Sequence, residues 1–137
     1  MRKQIQKGRC VKRRLDKCPQ VALSYDKIQE IFAIQLSEKE NVESFTMNVP
    51  LSFSNGESDE NYPTPKQAHT TDFYVRYTDG SAGVYECAYR CQLRRKAHLK
   101  NLELSRRYWE KKGITQWYIV TEKEEGFLNE VSDDETT

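Results

Sequence analysis

No stretch of this chain approaches the roughly 18 uninterrupted apolar residues of a membrane-spanning helix, which excludes one. The N-terminus also lacks the apolar region of a secretory signal, so a soluble, cytoplasmic protein without a membrane partner is expected. Histidine is scarce. His69 and His98 each stand without a cysteine or second histidine at ligand spacing, and no Ser-His-Asp motif accompanies them. The cysteines Cys10, Cys18, Cys87 and Cys91 are spaced C-x7-C and C-x3-C, which matches no zinc ribbon or finger. Free thiols are expected rather than a disulfide framework, with a four-thiolate zinc site as the alternative. Glycine and proline are sparse through four segments of clear hydrophobic periodicity, which rules out wholesale disorder.

What is present fits one compact domain. A length of 137 residues lies in the common domain range, and 8 Tyr, 5 Phe and 2 Trp can fill one core. The net charge of +1 conceals strong segregation. Residues 1–17 carry eight Lys or Arg against Asp16 alone, and residues 18–88 carry four bases and eleven acids. Residues 89–112 carry nine bases against Glu103 and Glu110, and from Glu122 onward seven acids face only Lys123. Two basic blocks fit attraction to a polyanion and an acidic middle fits a site that concentrates cations; solvated faces are the plainer reading of each block. The chain divides accordingly into a basic arm (1–23), a folded domain (24–125) and an acidic tail (126–137) expected to be disordered.

Ser24 is a candidate N-cap, and Tyr25, Ile28, Phe32 and Leu36 recur at helical spacing, so 25–38 is expected to be an amphipathic helix. Phe45, Met47, Val49, Leu51 and Phe53 alternate as in a half-buried strand, with Pro50 marking an edge or end. Residues 54–68 read as loop. Strand-like runs from Thr70 to Tyr77 and Val84 to Tyr89 flank Thr78-Asp79-Gly80, a hairpin loop in which Gly80 takes positive φ. Leu99, Leu102, Tyr108 and Trp109 mark a helix over 96–112 closed by Gly113, and Gln116 to Thr121 reads as a strand buried on both faces. This order predicts an α/β fold with a mixed central β-sheet flanked by helices.

The hairpin loop fixes a register in which Asp72 lies opposite Glu86, with β-carbons about 5 Å apart. Two carboxylates so placed repel unless a proton or cation sits between them, and Mg²⁺ is the natural hard cation for oxygen ligands. Two exposed acids on a polar sheet face are the alternative.

Four stretches also carry a likeness to a known family. They are the leader Lys7 to Arg13; Tyr25-Asp26-Lys27-Ile28-Gln29-Glu30-Ile31-Phe32 with its exit through Val42 to Phe45; His69 to Val75 with Val84-Tyr85-Glu86-Cys87-Ala88; and Lys100 to Glu122. Together they resemble the N-terminal domain of TnsA-like transposon endonucleases, members of the PD-(D/E)XK nuclease superfamily. The resemblance implies a restriction-endonuclease-like fold and hydrolytic DNA cleavage at transposon ends during DNA recombination. It also implies Mg²⁺ or Mn²⁺ as cofactor, and a transposase and an ATPase regulator as partners. It places metal on Asp72 and Glu86 and assigns two further catalytic positions to Gln29 and Ala88, where the family carries Glu and Lys. Arg90, two residues further along the same strand face, is the cation that could substitute for the lysine. Arg9, Lys12, Arg13, Arg14, Arg90, Arg94, Arg95 and Lys96 are the expected DNA-contacting residues. The readings that follow are a metal-dependent endonuclease, a non-catalytic DNA- or partner-binding module that keeps the fold, or a small domain unrelated to DNA.

Overall fold

The computed structural model describes residues 10–51, 70–122 and 128–132. The expected loop at 54–68 lies outside them, as do Arg9, His69 and the acids of the tail beyond Ser132.

Part of the stretch assigned to the basic arm is a two-stranded antiparallel ribbon, β1 (Val11–Arg13) with β2 (Ala22–Ser24), in the register Val11↔Ser24. Strands of three residues are too short to show a period, so the sequence read as an arm. The ribbon is anchored by Ala22 and Cys18, which are buried, and by Phe45 N donating to Lys17 O at 2.9 Å.

Ser24 therefore ends a strand, and Asp26 caps α1 (Lys27–Glu38) instead, its carboxylate accepting from Gln29 N at 2.9 Å. A carboxylate at this position satisfies an orphan amide and favours the positive end of the helix dipole. Ile28, Gln29, Phe32, Ala33 and Leu36 form the buried face. Four of these five are apolar; Gln29 is the exception and returns below.

The main sheet has five strands in the order β3 (Val42–Pro50), β4 (Thr70–Tyr77), β5 (Ala82–Cys87), β6 (Trp117–Glu122) and β7 (Leu128–Ser132). β3 starts three residues before the expected Phe45 and stops at Pro50, which cannot donate to the ladder. The β4–β5 hairpin follows the expected register, with Phe73↔Tyr85 and Val75↔Gly83, and its loop carries Gly80 at φ 92°. β5 and β6 run parallel and the other neighbours antiparallel, so the sheet is mixed as expected. β6 is more open than expected, since Tyr118 and Ile119 are only half-buried. β7 occupies residues that the sequence reading placed in the acidic tail.

Between β5 and β6 the chain forms a 3-10 helix (Arg90–Arg94) and then α2 (Lys96–Lys111), closed by Gly113 at φ 89°. Phe32, Leu36, Phe45, Phe73, Val75 and Tyr85 build the core between α1 and one face of the sheet. Val84, Leu102, Trp109 and Trp117 build the second core, between α2 and the other face. Alternation along β4 and β5 supplies both, because odd and even residues point to opposite faces. The result is an α/β sandwich of helix, mixed sheet and helix. Among the described residues no helix is long and apolar enough to cross a membrane.

Candidate functional site

The two predicted acids meet where the hairpin ladder opens. Asp72 and Glu86 are each 2% exposed. Beyond Phe73↔Tyr85, side chains take over the bonding between β4 and β5. Asp72 N donates to Glu86 Oε1 at 3.2 Å, and Cys87 N donates to Asp72 Oδ2 at 2.7 Å. The carboxylates are neighbours, but their remaining partners come from different helices. Gln29 of α1 donates to Asp72 Oδ1 at 3.2 Å, whereas Ser105 of α2 donates to Glu86 Oε2 at 2.5 Å. All four carboxylate oxygens therefore have a donor. Burial, and next the charge of Asp72, push the Glu86 carboxyl up to about 8. Both causes favour the protonated form of this acid.

Gln29 is brought to the site, as the resemblance implied, and the orientation of its amide is fixed. Tyr25 N, which can only donate, meets Oε1 at 2.8 Å. The NH₂ group must then face inward, where it donates to Asn48 Oδ1 at 2.7 Å and to Asp72. Asn48 is a site residue that sequence reasoning missed. It lies across β3 from Asp72, between the pairs Met47↔Phe73 and Val49↔Thr71, with a left-handed backbone at φ 56°. Its amide also donates to Leu23 O at 2.8 Å, tying the N-terminal ribbon to the site. An Asn inside a run of strand-forming residues was the available signal.

Ser105 was missed as well. It lies on the stripe of α2 that carries Leu102 and Trp109, a hydroxyl at helical spacing among core residues. Trp117 Nε1 donates to Ser105 Oγ at 3.1 Å, and Trp109 Nε1 donates to Thr71 Oγ1 at 2.8 Å. These two buried hydroxyls thus satisfy both indoles and connect Glu86 to the α2 core.

Ala88, where the resemblance implies a lysine, is 1% exposed and follows β5 directly, with its N donating to Val120 O at 3.0 Å. Arg90 does not continue the face of Glu86. The strand ends at Cys87, Arg90 opens the 3-10 helix, and its N donates to Glu122 Oε1 at 2.9 Å while the residue stays exposed. The placement expected from strand alternation is not met, because the strand has already stopped.

Asp72 and Glu86 are the two carboxylates here that could hold a cation. Gln29 turns hydrogens, not oxygen, toward Asp72; Ala88 offers nothing; and among the described residues no cluster of three or more His, Cys, Asp or Glu could hold a metal. The four cysteines are free thiols, Cys10 and Cys91 exposed, Cys18 and Cys87 buried.

The predicted DNA-contacting residues stand elsewhere. Lys12 and Arg13 lie on β1 with Arg14 just after it, all exposed. Arg13 pairs with Glu30 of α1 at 2.8 Å. Arg90 and Arg94 lie on the 3-10 helix, with Arg95 and Lys96 leading into α2, all exposed.

Comparison with known proteins bears on this arrangement. No curated protein matches the chain. The model of a family described as "TnsA-like endonuclease N terminal" matches residues 27–122, from the start of α1 to the end of β6, with Gln29, Asp72, Glu86 and Ala88 inside the match. A mixed sheet between helices, two acids at the mouth of one hairpin and a match over most of the chain agree: it belongs to the TnsA-like endonuclease N-terminal family, endonuclease-fold proteins of transposition, and has the restriction-endonuclease-like fold.

Proposed function

We propose that this chain is a transposition subunit of the TnsA-like kind that grips DNA through its basic faces and does not itself cut it. The observation that carries the reading is the Gln29 amide, which donates to Asp72 where the family's glutamate would add a carboxylate. Ala88 supports it, since a methyl group can neither orient nor polarise a water molecule. Every carboxylate oxygen of the pair already has a donor, which suits a hydrogen-bonded polar core. Strand cleavage would then fall to a partner, for which the resemblance supplies a transposase, with an ATPase regulator as the other partner it implies. Lys12, Arg13, Arg14, Arg94, Arg95 and Lys96 are solvated charges of the kind that displace counterions from DNA.

Supercoiled plasmid tests this directly. The chain should leave it uncut in Mg²⁺ or Mn²⁺ while binding it with an affinity that falls steeply with salt. Gln29→Glu combined with Ala88→Lys should introduce nicking. Failure to bind DNA at low salt would remove the gripping role, and nicking by the unaltered chain would overturn the non-catalytic one.

One observation favours the second reading, cleavage at transposon ends with Mg²⁺ or Mn²⁺ on Asp72 and Glu86. Burial, and next the charge of Asp72, raise Glu86, and a bound cation would offset both. Mn²⁺-dependent nicking without any substitution would establish that reading.

A further inference from the structure

A groove of about 380 Å³ lies between α2 and β6, where Lys96, Leu99, Lys100 and Arg106 face Trp117 and Ile119. Leu99 is 45% exposed, a large apolar side chain standing open beside two ammonium groups. The acid in the groove, Glu103, is engaged by Arg106 at 2.5 Å and Arg107 at 3.0 Å, and Arg106 reaches Glu110 at 3.7 Å. Lys96 and Lys100 have no acidic partner among the described residues. Apolar surface flanked by uncompensated cations suits a short acidic peptide better than a small anion, because the apolar part needs covering too.

The register of the sheet delivers such a segment. β7 runs antiparallel to β6 with Ser132 beside Tyr118, so the chain leaves β7 next to Trp117. The residues that follow are Asp133-Asp134-Glu135-Thr136-Thr137. Five extended residues reach about 17 Å, and Lys96 to Arg106 spans about 15 Å of helix.

We propose that this groove binds an acidic peptide segment and that its occupant is residues 133–137 of the same chain. Docked there, the segment covers Leu99 and neutralises Lys96 and Lys100, beside Arg94 and Arg95. It thereby weakens DNA binding at this face, a consequence that rests on the DNA-gripping reading, although the docking itself does not.

The test compares the full chain with its Asp133→Asn/Asp134→Asn/Glu135→Gln variant by amide NMR at two protein concentrations and by DNA binding. The amides of 96–106 and Trp117 should shift at both concentrations, and DNA affinity should rise about fivefold at low salt, less at high salt. Groove shifts with unchanged DNA affinity would leave the docking standing and remove this face from the DNA-binding surface. Shifts confined to the tail would overturn the docking whatever the DNA does. Shifts that vanish on dilution would assign the groove to a second copy and overturn it as well. As an independent check, Lys96→Glu/Lys100→Glu should undo the docking and added Asp133→Lys/Asp134→Lys should restore it. No restoration in a folded variant counts against the proposal.

Discussion

Asp72 and Glu86 lie 2% exposed with a donor on every carboxylate oxygen, whereas Lys12, Arg14, Arg94 and Arg95 stand in solvent. Charge is costly in the first region and nearly free in the second. A buried carboxylate must be neutralised or fully hydrogen-bonded, and here amide and hydroxyl donors surround the pair while burial and Asp72 push Glu86 toward its protonated form. On the surface water does the same work, so the charges stay available to a polyanion and are screened by salt. In this chain, then, the charge that can act on DNA lies outside the position where its family is expected to hold a metal.

The largest expected effect would break that comparison if it failed. The Glu86 carboxyl holds its proton to about 8 in the folded chain, against an ordinary value of 4.5. An acid raised in this way contributes its full stability below the ordinary value and loses it as pH rises through the folded one. Between those limits the contribution should fall by about 5 kcal/mol at most, since each unit is worth about 1.4 kcal/mol. Thermal melts should therefore decline from pH 5 to pH 8.5, and Glu86→Gln should flatten the decline. If millimolar Mg²⁺ flattens it instead, a cation has taken the proton's place and the centre is a metal site.

The next effect is smaller and sharpens the contrast. Gln29→Glu alone removes the donor to Asn48 and Asp72 and adds a third carboxylate to the buried pair. It should cost about 3 kcal/mol in urea denaturation near neutral pH. Adding Ala88→Lys should recover part of this, because an ammonium group beside Glu86 offsets the charge. An unchanged midpoint for Gln29→Glu would mean that water reaches the centre and that burial does not govern it.

What the sequence disclosed, and what it hid, follows the same physical division. Asp-Gly turn chemistry and strand alternation fix the register of the β4–β5 hairpin, so the meeting of Asp72 and Glu86 was legible. The resemblance pointed to Gln29, and the structure brings it to Asp72 because an amphipathic helix leaves little freedom in which face is buried. Asn48 and Ser105 were hidden because their roles depend on which strand or helix packs beside them. Arg90 was misplaced because the 3-10 helix is held by Tyr89 N donating to Gln92 Oε1 at 2.8 Å, a local bond that alternation does not register. β7 was lost among acids, where Leu128 and Val131 alone are too few to show a period.

The smallest effect tests whether the N-terminal ribbon belongs to the surface or to the core. Arg13 is 46% exposed and bonds Glu30 of α1, which is 15% exposed and keeps Lys27 at 4.0 Å as a second cation. An exposed pair of this kind contributes well under about 1 kcal/mol, and the remaining lysine softens its loss. Arg13→Ala should thus shift the melting temperature by only a degree or two, about the size of a small surface change. The same substitution should lower the dependence of DNA binding on salt by about one unit of slope, because one phosphate contact is gone. A large loss of stability with an unchanged slope would reverse the assignment. It would make Arg13 a structural strut that fixes the ribbon against α1, and only Lys12 and Arg14 would then be left to meet DNA from β1 and the residues beside it.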